Sequence, residues 1–298
     1  MSAIAEKNEL FEPEITLKSI AVKNFRGFED IKINLDPKLN VIIGENGSGK
    51  TALTECAVKI LSVLIQNIRR QKISSKNVFD ISDFKSGSQK TSISAAFSFN
   101  LKPMRFTLIS DKNKYESPKI IPYGTKDIRM RLSDCTDHKK PMNLPLFAYY
   151  PAVNVPLDFV NFENIVSEPA KQDMFLSYDS ILRKKYFDVK SFFTWYKWQE
   201  NIEKQVGENI ILRYVRKAIY SILSDNNADF NKLSVNWLND PDGEMIIRKN
   251  KIPLNINQLS SGEKLLLILV SDLARRLVIA NPYECNLFQF FISTIKAA

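Results

Sequence analysis

Residues 40–51 read Asn40-Val41-Ile42-Ile43-Gly44-Glu45-Asn46-Gly47-Ser48-Gly49-Lys50-Thr51. The first five form a short apolar run, the pattern of a strand buried on both faces. The last eight fit the spacing G-x-x-x-x-G-K-[ST]. After Lys50 the period changes. Leu53, Ala57, Ile60, Leu61, Leu64 and Ile68 recur at helical spacing, which predicts a helix from Thr51 to about Gln71. Strand, glycine loop and helix, in that order, are what a chain needs to wrap a phosphate.

The physical reasons are specific. Successive backbone N–H groups of such a loop point inward. Gly44, Gly47 and Gly49 are expected to supply positive φ angles and close approach. Three of the nine glycines in the chain fall in these eight residues, so the composition itself singles out the loop. The candidate site is Gly44, Glu45, Asn46, Gly47, Ser48, Gly49, Lys50 and Thr51. Lys50 is predicted to reach the β- and γ-phosphates, and the Thr51 hydroxyl to ligate Mg²⁺. The helix start adds its positive dipole end.

Working outward, residues 15–25 read as a strand. Residues 30–36 alternate, with Ile31, Ile33 and Leu35 on one face, and Asp36-Pro37 ends the run. Residues 74–89 are polar and predict a loop. Ile93, Ala95, Phe97 and Phe99 alternate, and with residues 105–110 they predict an antiparallel pair. Residues 118–141 look irregular, and 144–150 read as another strand. Residues 175–224 predict an aromatic and basic helical region. Phe187, Phe192, Phe193, Trp195, Tyr196 and Trp198 crowd there, as a packed core or as a base-stacking platform. Residues 233–238 and 245–248 flank Asn239-Asp240-Pro241-Asp242-Gly243, the composition of a tight hairpin turn.

A second candidate site opens the long apolar run 265–279. Leu259-Ser260-Ser261-Gly262-Glu263 puts a serine before a helix and a glutamate in its first turn, which is a plausible N-cap. The same parts make an anion cradle: the Ser260 and Ser261 hydroxyls, Gly262 without a side chain, and a helix N-terminus. The two roles are compatible. The domain layout expected is 1–150 for the phosphate-loop lobe with an antiparallel β subdomain, 151–230 for a helical insertion, and 231–298 for the lobe carrying Ser260 to Glu263.

Composition narrows the function classes. Apolar residues make up 44% of 298, enough to bury a core. No run of eighteen apolar residues exists, so no transmembrane helix is expected. No apolar leader follows Met1, so the expected location is the cytoplasm. Cys56, Cys135 and Cys285 lie far apart, without zinc or disulfide spacing. His138 is the single histidine and reads as a solvated loop residue, which leaves little material for a histidine-based triad or metal site. The net charge of +9 favours anionic partners, nucleic acid among them.

These residues resemble a known group. Val22-Lys23-Asn24-Phe25-Arg26-Gly27-Phe28, then Leu39-Asn40-Val41-Ile42-Ile43, then the glycine loop resemble the start of SMC-like and OLD-like ATPases, OLD standing for overcoming lysogenization defect. Leu146-Phe147-Ala148-Tyr149-Tyr150-Pro151, Phe192-Phe193-Thr194-Trp195 and Gln258 to Lys264 resemble the Septu ATPase PtuA and its retron-associated relatives in anti-phage defence. The resemblance covers roughly residues 15–282. It implies an α/β ABC/SMC-type P-loop NTPase head with an antiparallel β subdomain and a helical insertion. It also implies that ATP and Mg²⁺ are bound, and that Ser260, Ser261, Gly262 and Glu263 form an ABC signature gripping the nucleotide of a second copy. The expected partners are a second copy or higher oligomer, DNA, and a separate HNH-type nuclease.

One expected part is not found. The family continues from the signature helix into a strand ending in Asp-Glu, the Walker B pair, and no such pair follows Ile279. The core is therefore expected to be incomplete at its C-terminal side, and residues 286–295 read either as an unrelated apolar tail or as a segment that looks like the family's last core strand. No catalytic residue and no Q-loop glutamine is assigned. The leading reading is an ATPase head coupled to DNA transactions in anti-phage defence or repair. The alternative is an ATP-binding module that dimerises without turnover. A metabolic P-loop kinase is disfavoured by Ser260 to Glu263.

Overall fold

The computed structural model describes residues 14–69, 78–115, 118–126, 128, 130–131, 135, 141–150, 174–178, 189–238 and 243–283. Two compact units, Met1–Phe147 and Ala148–Lys296, divide the chain. His138, Phe187, the turn 239–242 and the expected strand at 286–295 lie outside the described residues.

In the first unit, strands β1 (Ile15–Phe25), β2 (Phe28–Asn34), β3 (Lys90–Phe99), β4 (Lys102–Asp111) and β5 (Lys119–Tyr123) form one sheet in the order β2-β1-β3-β4-β5. Every neighbouring pair is antiparallel. The alternation predicted for residues 93–99 is realised: Ile93, Ala95, Phe97 and Phe99 point inward, opposite Met104, Phe106 and Leu108 of β4. Helix α1 (Lys50–Ile68) packs on that face and buries Cys56, Ile60, Val63 and Leu64. Asn100 and Leu101 join β3 to β4 in two residues, both with positive φ, the geometry whose twist matches paired strands.

Three expectations change here. Residues 40–44 form no strand. Their backbone pairs with no strand among the described residues, and Val41 and Ile43 stand 71% and 88% exposed. A strand requires a partner to satisfy its N–H and C=O groups, and an apolar run does not say where that partner lies. Residues 144–150 are likewise irregular. Within 118–141, read as irregular, Lys119–Tyr123 pairs on β4 as an edge strand, a position that tolerates Pro122.

In the second unit, helices α2 (Val189–Val206) and α3 (Ile210–Leu223) form the predicted helical region. Gly207, at φ 93°, ends α2 by donating its N–H to Glu203 O at 3.0 Å. Asn209 then caps α3, its side chain accepting from the N–H of Ile211 and Leu212. Phe192, Phe193 and Tyr196 are buried, so packing accounts for these three aromatics. The hairpin forms as β6 (Phe230–Asn236) and β7 (Glu244–Lys249), and β8 (Ile252–Asn255) adds a third strand. Strand β6 carries a bulge at Lys232, φ 50°. Two tyrosines satisfy the backbone there: Tyr196 Oη donates to Leu233 O at 2.7 Å, and Leu233 N donates to Tyr220 Oη at 2.6 Å.

Helix α4 (Ser261–Ala280) packs on α3. It carries the apolar run 265–279, and from Leu267 onward most of it is buried. Leu265 and Leu266, at the N-terminal end, stay exposed. The buried charges are paired: Asp272 accepts from Arg275 at 3.0 Å and from Arg276 at 2.8 Å, and Arg276 also donates to Ser177 O at 2.8 Å. The chain is thus α/β, with an antiparallel sheet and separate helical packing.

Candidate phosphate site

The loop 44–51 ends where α1 begins: the helix expected from Thr51 to about Gln71 runs from Lys50 to Ile68. Gly47 and Gly49 adopt φ 83° and 96°, the left-handed region that suits glycine. Gly44 does not. An added Cβ there would meet Ser48 Oγ at 2.7 Å, a hydroxyl that can rotate away, and Ser48 Cβ at 3.4 Å. Ser48 N donates to Glu45 O at 3.2 Å and closes the turn through Asn46 and Gly47. The N–H groups of Gly47, Gly49, Lys50 and Thr51 meet no acceptor among the described residues. The first turn of α1 holds no acidic residue. Unspent donors and a helix start without an acidic residue in its first turn fit an anion. Lys50 Nζ donates to Gly44 O and Glu45 O, each at 2.7 Å, so its ammonium already lies over the loop. Thr51 is exposed, and its hydroxyl is free to face a cation.

A buried ion cluster behind the loop escaped the sequence reading. Asp83 is fully buried and pairs with Lys59 at 2.7 Å and with Arg26 at 2.9 Å. Arg26 also reaches Glu55 at 2.5 Å. Lys59 donates further to Val78 O. Glu55 and Lys59 lie on α1, one turn and two turns beyond the loop. Burial pushes the Asp83 carboxyl up, but Lys59, the Asp80 N–H and Arg26 outweigh it and hold it below its ordinary value. The only signal available was Arg26 within Asn24-Phe25-Arg26-Gly27-Phe28. Asp83 itself sits in a stretch that reads as polar loop. Cys56, also on α1, is buried and its thiol is pushed up to about 12 by burial, so it is an inert thiol.

The second candidate site lies in the other unit. Ser260 is the N-cap of α4, and its hydroxyl accepts from Glu263 N at 3.3 Å. Glu263 completes the capping box by accepting from Ser260 N at 2.9 Å. Glu263 also pairs with Lys249 of β7 at 2.6 Å. Burial raises its carboxyl, while Lys249 and Ser260 prevail and lower it. An added Cβ at Gly262 would meet nothing within 4 Å, so the surface over Gly262 is open. Lys249 was not anticipated, because a salt bridge from strand to helix leaves no periodic trace.

An α/β unit with a G-x-x-x-x-G-K-T loop ending on a helix N-terminus is of the P-loop NTPase class. The family model AAA_23, described as an AAA domain, matches residues 19–261, and the chain belongs to that family. Membership implies ATP binding. The chain is 25% identical to the Retron Vc95 probable ATPase of Vibrio cholerae serotype O1 biovar El Tor over 90% of its own length. It is 24% identical to the Retron Ec83 probable ATPase of Escherichia coli over 92%. It spans 61% of the length of each. A shorter stretch, 16% of the chain, is 45% identical to the DNA replication and repair protein RecF of Bacillus cytotoxicus, covering 12% of that protein. Among solved structures, the SmcHead bound to the C-winged helix domain of ScpA aligns with 87% of this chain and 76% of that one, at 14% identity and a TM-score of 0.46. RecF-ATP aligns with 91% and 84%, at 13% identity and a TM-score of 0.43. Among the described residues no helix is long and apolar enough to cross a membrane.

Proposed function

We propose that the chain is the nucleotide-binding head of an ATPase that closes around ATP as a dimer and acts with DNA, in anti-phage defence. The observation that carries the nucleotide part is the set of unspent N–H donors on Gly47, Gly49, Lys50 and Thr51, overlaid by the Lys50 ammonium. Lys50 would leave its two carbonyls for the β- and γ-phosphates, and Thr51 would hold Mg²⁺, which supplies charge neutralisation when bound. Ser260, Ser261 and Gly262 would face the nucleotide of a second copy. Glu263, already engaged by Ser260 and Lys249, would hold that helix start in shape. The retron ATPase relatives support the defence reading, the OLD- and PtuA-like resemblance supports a separate HNH-type nuclease, and the RecF stretch supports DNA as partner.

The test is Mg-ATP titration calorimetry on the parent chain and on Lys50→Ala. Loss of binding in the variant is expected. Equal affinities would remove the site from these residues.

A further inference from the structure

The turn between β1 and β2 reaches the phosphate loop through one aromatic ring. Phe28, the first residue of β2, is half-buried, and its ring lies against Gly49. A Cβ built on Gly49 would stand 2.6 Å from Phe28 Cζ, 3.1 Å from Cε1 and 3.3 Å from Cε2. The ring therefore occupies the space that any side chain at 49 would need. Gly49 makes its left-handed turn, φ 96°, directly against that ring.

What holds the ring is also defined. Arg26, two residues earlier, adopts φ 49° and is tied by its backbone N–H to Asp83 O at 2.9 Å. Its guanidinium spans Asp83 and Glu55. Glu55 lies on the helix that Lys50 and Thr51 begin. One clamp thus fixes both the strand end that carries Phe28 and the helix that follows Gly49. The loop is held from two sides: by the ring at Gly49, and by the helix clamp one turn beyond Thr51.

We infer that Phe28 is a positioning residue of the phosphate loop, a wall that keeps Gly49 in its left-handed turn so that the N–H groups of Gly49, Lys50 and Thr51 converge on one anion. This rests on the nucleotide reading above. Without the wall, the flexible glycine samples other φ values, and ordering it on binding costs affinity.

The experiment compares Mg-ATP with inorganic tripolyphosphate on the full 298-residue chain, by calorimetry, for the parent, Phe28→Ala, Phe28→Leu, Phe28→Tyr and Lys50→Ala. Circular dichroism and melting temperature are recorded for each. Phe28→Ala is expected to weaken both ligands by the same factor, about tenfold. Phe28→Tyr, which keeps the ring, should stay within about twofold of the parent. Phe28→Leu keeps apolar bulk without the flat ring and serves where the alanine variant does not fold; it too should lose affinity for both ligands. Three results overturn the inference. One is unchanged affinity in a folded variant whose melting temperature alone falls. Another is loss for ATP with tripolyphosphate unaffected, which would put the ring on the base. The third is Lys50→Ala binding both ligands like the parent, which sinks the nucleotide reading itself and this inference with it.

Discussion

Lys59 and Asp83 form a 2.7 Å ion pair in which neither side chain is more than 4% exposed. Such a pair is costly to break from one side, because the remaining charge stays buried. Asp83→Asn or Lys59→Met is expected to lower stability by about 3–5 kcal/mol. The pH dependence follows from the lowered Asp83 carboxyl. An Asp held lower in the folded state stabilises fully above its unfolded value, about 3.9, and that contribution is lost as pH falls through the folded value. Urea unfolding at neutral pH and near pH 3 should show the gap between parent and Asp83→Asn narrowing in acid. A gap that stays constant would mean the carboxylate charge is not what stabilises.

Gly49→Ala confronts two obstacles at once, a φ of 96° and the Phe28 ring. Gly27→Ala, where an added Cβ meets nothing within 4 Å and φ is not positive, is the control. The first should cost roughly 1–3 kcal/mol of strain and weaken ATP binding. The second should leave both within experimental error. Thermal melts and calorimetry on the pair decide it.

Replacing Gly262 tests the proposed closure between copies. The surface over Gly262 is open, so Gly262→Asp is tolerated by its own fold while placing a charge where a second nucleotide's phosphates would come. ATP binding to one copy should persist, and ATP-dependent dimerisation, followed by light scattering, should fall at least tenfold. A variant that dimerises with ATP like the parent would remove the signature role from Gly262.

Tyr196 is fully buried, donates to Leu233 O and accepts from Arg216 Nε at 2.8 Å. Tyr196→Phe strands both groups and should cost about 1–3 kcal/mol. ATP affinity should be unchanged, since the phosphate loop belongs to the other unit. Equal urea midpoints for the two proteins would show that the bulge on β6 does not depend on this hydroxyl.

The sequence by itself determined whatever depends on near neighbours. Glycine spacing placed the turn at Gly47 and Gly49, the change of period placed α1, alternation placed β3 with 105–110 as its antiparallel neighbour, and Ser260 with Glu263 marked the start of α4. The loop turn, the start of α1 and the cap of α4 are settled by hydrogen bonds within a few residues, and β3 meets β4 through a two-residue connection. Tertiary structure alone decided the rest. Residues 40–44 carry a strand's composition yet stand exposed, because a strand is made by its partner. Asp83 lies in a polar stretch that reads as surface, yet it is fully buried, because Arg26, 57 positions away, and Lys59 converge on it. Phe28 falls outside the strand read at 30–36, and only the folded chain brings its ring against Gly49. Local patterns record periodicity. Whether a charge can be buried or a glycine braced depends on groups that only the folded chain brings within a few ångströms.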